Sequence, residues 1–310
     1  MYDVIIIGAG PAGLSAGIYA ARAKMKTLII EKAFEGGQIA GTADIENYPG
    51  SIQGESGMGL IQKMVEQAKQ FSAEKVYENV IDVDLEGNVK TVKTDSNEYQ
   101  SKTVIIATGA NSKKMGSKGE DDLIGKGVHF CATCDGPFYE DLHVYVVGGG
   151  DAAVEEGIFL SKFAKKVTII HRRDELRAAK VIQERAFANE KIDFIWDSEV
   201  LEVKGENKVE EMILRNRKTG EITTIKPSED DNIMGVFVYI GLVPNTDIFK
   251  GKIELNEMGY IPTNENMETN VEGVYAVGDV RAKALRQVVT ATSDGATAAV
   301  IAERYIDSLE

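Results

Sequence analysis

Short runs of β-branched and other apolar residues recur along this chain, and each gives way to glycine or a charged residue. Val4 to Ile7 is the first run and Thr27 to Ile30 the second. Val144 to Val147 and Val167 to Ile170 form another pair at the same separation. Continuous apolar runs of this length predict buried strands, and Leu14 to Arg22, between the first two, predicts a helix. Three more strand-into-glycine units follow: VIIATGA at 104–110, VFVYIGLVPNT at 236–246 and GVYAVGDV at 273–280. A long helix is expected after the last, from about Gln287 to Ser308. Strands alternating with helices predict an α/β protein.

The first pair of strands encloses a G-x-G-x-x-G signature: Gly8, Gly10 and Gly13, with Ala12 inside it. A strand precedes it, a helix follows, and an acid, Glu31, stands eighteen residues beyond Gly13. That context turns a weak motif into a strong sign of dinucleotide binding. Glycine is needed where the chain turns tightly and where backbone N–H groups approach a pyrophosphate at a helix N-terminus. Glu31 would accept hydrogen bonds from a ribose hydroxyl pair. The signature returns as Gly148, Gly150 and Ala153, with Asp151 inside it. Eighteen residues beyond Ala153 stands His171, then Arg172, Arg173 and Arg177. Glu31 and His171 therefore occupy one station in two copies of a βαβ unit. A carboxylate there repels a 2′-phosphate, whereas guanidinium forks match phosphate oxygens two at a time. The second copy is expected to take NADP(H), and the first the ADP half of FAD or NAD(H). A solvated strand end is the plainer account of His171, Arg172 and Arg173.

Length and charge add to this. A chain of 310 residues exceeds the usual size of one core. The simplest assembly joins 1–113 to 245–310 as one Rossmann-like domain and inserts 114–244 as a second. The chain would cross near Asn111–Met115 and Leu242–Asn245, an arrangement that permits a hinge. A formal net charge of −14 opposes nucleic acid and anionic membrane as partners. The uncharged run from Val4 to Ala21 has the length of a signal peptide or membrane span. Its glycines, Pro11 and the flanking Asp3 argue against both. With two cysteines in all there is no disulfide framework of the secreted kind, so a cytoplasmic protein is expected.

Those two cysteines, Cys131 and Cys134 in HFCATCDG, stand three positions apart. Four readings compete. Free cysteine packs as a small hydrophobe, though Asp135, Gly136 and Pro137 next door do not suit a core element. Zinc could be held with His129 and His143, but no second C-x-x-C or H-x-x-x-H pair accompanies them. A structural staple closing so small a loop removes little chain entropy. The fourth reading is a redox pair, since C-x-x-C closes a small disulfide ring and its neighbours tune the thiolates. A nicotinamide gives up a hydride, two electrons, and a dithiol carries two. An NADP(H) unit, an FAD unit and one C-x-x-C then read as one circuit.

GAGPAG, EGGQIAGTADIENYPG at 35–50, ATGA, CATCDG, GGGDAA, HRRDELR and VYAVGDVRAKALRQV together resemble, in that order, the motifs of the low-molecular-weight bacterial thioredoxin reductases. The resemblance covers essentially the whole chain. It implies non-covalent FAD, NADPH as the hydride source, thioredoxin as the partner, a homodimer, and domains that rotate about the hinge. It implies that Cys134 faces the flavin, that Cys131 attacks the thioredoxin disulfide, and that Asp135 protonates the departing thiolate. Gly36, Gly37, Gln38, Asn47 and Gly109 fall on flavin positions, Asp279 on the acid that holds the ribityl chain, and Arg286, Gln287 and Val288 on the backbone at the pyrimidine edge. Taken singly, Gly36-Gly37-Gln38 could be only a turn and Asp279 only a helix cap. Three places depart from the pattern: Ala152 where serine is frequent, Lys118 where proline is frequent, and Ser293-Asp294 in a stretch often rich in glycine. A glutaredoxin-like or peroxidase-linked carrier is the alternative partner, and a nucleotide-responsive thiol sensor without turnover the alternative function.

Overall fold

The computed structural model describes residues 1–42, 45, 47–228 and 231–309; the side chain of Cys134 lies outside that description. The chain begins with β1 (Tyr2–Ile7), α1 (Pro11–Arg22) and β2 (Thr27–Glu31). α1 starts at Pro11, three residues before the start expected from the sequence. A proline at the first helical position has no N–H to leave unpaired, and its fixed φ suits that turn. α2 (Gly57–Gln70) follows, with Ser56 Oγ accepting from the Gly59 N–H at 3.1 Å to cap it. Next come β3 (Glu74–Tyr77), β4 (Val80–Asp84), β5 (Lys90–Thr94), β6 (Glu98–Ile106) and β7 (Ala110–Ser112). The middle of the chain supplies α3 (Glu120–Leu123), β8 (Val128–His129), α4 (Ala132–Asp135), β9 (His143–Gly148), α5 (Asp151–Leu160), β10 (Lys166–Ile170), α6 (Lys180–Phe187) and β11 (Ile192–Ile195). It continues through β12 (Ser198–Lys204), β13 (Glu211–Asn216), β14 (Ile222–Ile225) and β15 (Gly235–Tyr239). The last elements are β16 (Leu242–Pro244), β17 (Val274–Ala276) and α7 (Val288–Ser308).

Two compact units result, one from 1–111 with 243–310 and the other from 112–242. In the first, the sheet order is β3-β2-β1-β6-β5-β4. β1, β2, β3 and β17 run parallel in this sheet, while β4 and β5 pair antiparallel. β6 pairs with β1 along one edge. Its other edge takes β5 at its start, Glu98 to Ser101, and β17 at its end, Val104 to Ile106. Alternation along β1 sends Val4 and Ile6 to one face, with Leu14, Ala16 and Ala20 of α1 and Ala298, Ala299 and Ala302 of α7. Ile5 and Ile7 go to the other, with Val83, Val92 and Phe249. Covering on both faces is why these strands read as unbroken apolar runs.

The second unit repeats this logic. Its parallel sheet has the order β11-β10-β9-β15-β8. Val144, Val146, Val167 and Ile169 pack with Val154 of α5 and Ile182 of α6. Tyr145, Val147 and Ile170 pack instead with Val200, Val203, Met212 and Leu214 from the antiparallel sheet β12-β13-β14. The uncharged run from Val4 to Ala21 is divided between β1 and α1. Among the described residues no helix is long and apolar enough to cross a membrane.

Candidate nucleotide and disulfide sites

In the first unit the glycine signature forms the turn between β1 and α1. Gly8 has φ +108°, and a side chain there would meet the Ala107 carbonyl oxygen at 2.4 Å. Gly13 lies within α1, where a side chain would meet the Gly8 carbonyl oxygen at 1.9 Å, so the helix start and the turn are in backbone contact. Gly10 caps α1 and Ala12 is buried behind it. Glu31, at the end of β2, is held against this turn: its Oε2 accepts from Ala9 N–H at 2.8 Å and its Oε1 from Lys32 N–H at 2.8 Å. The remaining flavin candidates of this unit gather by hydrogen bonds and packing. Gly36 donates its N–H to Ala9 O at 2.9 Å, and Gly36 and Gly37 both have positive φ. Gln38 donates to the Ala110 carbonyl. Gly109, also at positive φ, is followed by Ala110 of β7. Asn47 Nδ2 donates to Gln287 Oε1 at 3.2 Å. Gln287 caps α7 ahead of the buried Val288, and the Arg286 guanidinium lies 4.0 Å from the centre of the Tyr260 ring.

Asp279 sits in a single turn after β17. Its Oδ1 is buried without a hydrogen-bond partner among the described residues. Burial pushes its carboxyl above the usual range, with Lys283 and Arg286 opposing. A buried acceptor with nothing bonded to it fits a donor brought by a ligand, such as a ribityl hydroxyl. The glycine turn beside it fits a pyrophosphate. Asp294, in a stretch where the family is often rich in glycine, carries its own partners. Its carboxylate accepts from Arg281 Nη1 at 2.8 Å, Lys283 Nζ at 2.8 Å and Gly278 N–H at 3.0 Å. Asp294 thus ties α7 to the turn that bears Asp279.

The second unit differs at the matching station. Gly148 has φ +156°, and a side chain on it would meet Tyr239 O at 2.3 Å and Ala153 Cβ at 2.6 Å. Gly150 caps α5, and Asp151 Oδ1 accepts from the Ala179 N–H at 2.7 Å. His171 is buried, and its ring takes the space where Gly149 has no Cβ, with Nδ1 2.3 Å from that point. Burial lowers its proton affinity, and Arg177, Arg172 and Arg173 lower it further. The ring therefore packs against the glycine turn while remaining close enough to the three arginines to feel their charge. Arg172, Arg173 and Arg177 are exposed, and none makes an ion pair among the described residues. Of the departures from the family pattern, Ala152 is exposed on α5. Lys118 donates its N–H to Leu201 O at 3.0 Å, a bond that a proline could not make.

Cys131 precedes α4 and is held in a disulfide; Cys134, whose backbone lies in α4, is the chain's one other cysteine. Asp135 ends α4, and its N–H donates to Cys131 O at 3.1 Å. Its Oδ2 lies 3.1 Å from His129 Nδ1. His129 Nε2 lies 2.8 Å from the Tyr139 hydroxyl. Phe237 packs on both rings, with centres at 5.2 and 5.6 Å. Burial pushes the Tyr139 phenol up to about 12, helped by the Asp135 charge. Burial pulls the His129 ring below the usual histidine range, and Asp135 opposes that. Tyr239 accepts the Ala132 N–H on its hydroxyl at 2.7 Å while its carbonyl stands against Gly148, so one residue touches both the α4 start and the glycine turn. Glu156 of α5 is pushed up to about 7 by burial, with Glu155 adding to it. His143 Nε2 is bonded to Thr168 Oγ1 at 2.8 Å. Among the described residues no His, Cys, Asp and Glu cluster could hold a metal ion.

Tyr139, Tyr239, Glu156 and Gly149 escape a reading of the sequence, and His129 is visible there only as a metal candidate. Each acts through a contact between residues distant in sequence or through a neighbour's ring. The adjacency of Gly149 to two signature glycines was the one available sign.

Comparison with known proteins follows the same lines. Residues 2–295 match the family described as pyridine nucleotide-disulphide oxidoreductase. The chain is 56% identical over 308 residues to the thioredoxin reductase of Peptoclostridium acidaminophilum, covering 99% of this chain and 98% of that one. It is 50% identical over 311 residues to the thioredoxin reductase of Bacillus subtilis (strain 168), covering 100% and 96%. The crystal structure of Lactococcus lactis thioredoxin reductase, in the form titled FR conformation, superposes with a TM-score of 0.95 at 44% identity, covering 99% of this chain and 100% of that one.

Proposed function

The chain belongs to the pyridine nucleotide-disulphide oxidoreductase family, and from that premise we propose that it is an NADPH-dependent thioredoxin-disulfide reductase. The observation that carries this is the disulfide at Cys131 with the Asp135 carboxylate at the end of the same short helix, in a unit that also holds a dinucleotide-type glycine turn. The first unit would hold FAD through Gly8, Gly10, Ala12, Gly13 and Glu31. Gly36, Gly37, Gln38, Asn47, Gly109, Asp279, Arg286, Gln287 and Val288 complete that set. Bound there, the flavin supplies the passage of two electrons from NADPH to the disulfide.

The second unit would hold NADPH with Gly148, Gly150, Asp151 and Ala153 at the pyrophosphate. Arg172, Arg173 and Arg177 would take the 2′-phosphate, and His171 would shape the turn from beneath. Their exposure and lack of acidic partners suit a dianionic group. Opening the enzyme disulfide breaks one S–S bond and takes up two electrons and two protons. The Cys131 thiolate then attacks the thioredoxin disulfide, and Cys134 attacks the mixed disulfide. Thioredoxin leaves as a dithiol and the Cys131–Cys134 bond is restored. Asp135 gives a proton to the thiolate that departs. The resemblance to a dimeric family supports a homodimer, and the acidic surface suits a cytoplasmic protein with neither nucleic acid nor membrane as partner.

The test is steady NADPH consumption with thioredoxin disulfide. Cys134→Ser should abolish it, and Cys131→Ser should keep reduction by NADPH but lose transfer to thioredoxin. Equal efficiency with NADH would remove the arginine assignment. Failure to consume NADPH with thioredoxin would remove the partner.

A further inference from the structure

His129 belongs to none of the nucleotide or sulfur groups assigned above, yet it is the residue that touches Asp135. It lies on β8, buried, with both ring nitrogens engaged: Nδ1 on Asp135 Oδ2 at 3.1 Å and Nε2 on the Tyr139 hydroxyl at 2.8 Å. The Asp135 side chain is 30% exposed, so the aspartate alone would be free to swing. We propose that His129 is a positioning residue: it holds Oδ2 of Asp135 so that Oδ1 remains for the proton exchanged with the sulfur pair, and Tyr139 fixes the ring tautomer. The inference rests on Asp135 acting as the acid.

The hydrogen-bond inventory gives the direction. Oδ2 of Asp135 accepts, so the ring proton belongs on Nδ1; Nε2 is then bare and takes the proton of the Tyr139 phenol as a hydrogen bond. Nδ1–H then donates to Oδ2 of the Asp135 carboxyl, which fixes the oxygen that is left for the sulfur pair. Among the described residues the groups facing this pair are Asp135 from α4, Tyr139 from the following turn, and Phe237 and Tyr239 from β15. Glu156 of α5 acts on Tyr239. Among the described residues Asp135 is the one carboxylate bonded to the ring.

The experiment is the pH profile of transfer from the reduced holoenzyme to thioredoxin disulfide. The rate should fall on an alkaline limb that reports the acid of the transfer step. His129→Phe removes the donor while keeping a ring, so the limb should move up, and the rate below it should fall about tenfold. His129→Asn, whose amide can still donate to Oδ2, should leave the limb in place and the rate within about twofold. A purely structural role predicts equal losses for both variants with no movement of the limb, and that result would overturn the proposal. Nitrogen-15 spectra of the three histidines give a readout independent of turnover. At pH 8 His129 should carry its proton on Nδ1, and Tyr139→Phe should release it to a mixture of tautomers. A bare Nδ1 in the wild-type protein would equally sink the idea, and this check stands even if His129→Phe does not fold. Asp135→Asn separates the two levels. If the limb survives that change, Asp135 is not the acid and the reading beneath the inference fails. If it vanishes while His129→Phe leaves the limb unmoved, only the inference fails.

Discussion

Single side chains in the second unit show how far burial overrides ordinary chemistry. Glu156 is pushed from an ordinary 4.5 up to about 7. Its folded form therefore holds a proton that the unfolded chain releases near 4.5. The stability this contributes is complete below that point and is lost as pH rises through about 7. Glu156→Gln removes the titration, so the variant should gain on the wild type between pH 5 and pH 8, by about 3 kcal/mol at most. Urea unfolding of both proteins at the two pH values measures the gap; a gap that does not change with pH would refute the assignment. At this scale the sequence located Cys131, Cys134, Asp135 and Asp279 by their motifs. It could not show that Glu156 is half-buried near Tyr239, because nothing local in VEEGIF distinguishes its two acids.

At the scale of elements the two glycine signatures do more than admit a ligand. Gly17 and Gly157 stand nine residues after Gly8 and Gly148, and side chains on them would meet Ile29 Cδ1 at 2.6 Å and Ile169 Cδ1 at 3.1 Å. Both repeats thus need a small residue where the helix crosses the second strand. Gly295 plays the same part between helices: a side chain there would meet Ala12 O of α1 at 2.1 Å. Gly295→Ala must part α1 from α7, and overpacking of this kind costs about 1–3 kcal/mol. A fall in thermal midpoint together with weaker FAD retention is the expected outcome, since Ala12 stands within the glycine signature at the start of α1. An unchanged midpoint would mean that α7 shifts without cost. The βαβ repeats were legible because a glycine turn between apolar strands is a local signal. The β4–β5 pair and the β12–β13–β14 sheet were not. Their strands are short and mixed in burial, and they are identified by pairing, not by composition.

For the molecule as a whole, net charge and local charge point in opposite directions. A chain of formal charge −14 carries three exposed arginines at one strand end with no ion pair among the described residues. Arg173→Glu should therefore raise the KM for NADPH about tenfold or more while leaving that for NADH nearly unchanged. Added salt should weaken NADPH binding in the wild type more than in the variant. Equal effects on both nucleotides would show that the cluster does not read the phosphate. The sequence by itself determined the α/β class, the doubled nucleotide signature with its unlike third station, and the paired cysteines with their acid. These are short-range patterns that backbone geometry and ligand chemistry impose on neighbouring residues. Only the tertiary structure decided that His171 lies beneath its turn, that Asp294 is held by two cations, and that His129 and Tyr139 close on Asp135. Those contacts join residues on separate elements, and the free energy of burying a ring or a charge depends on what the fold packs around it.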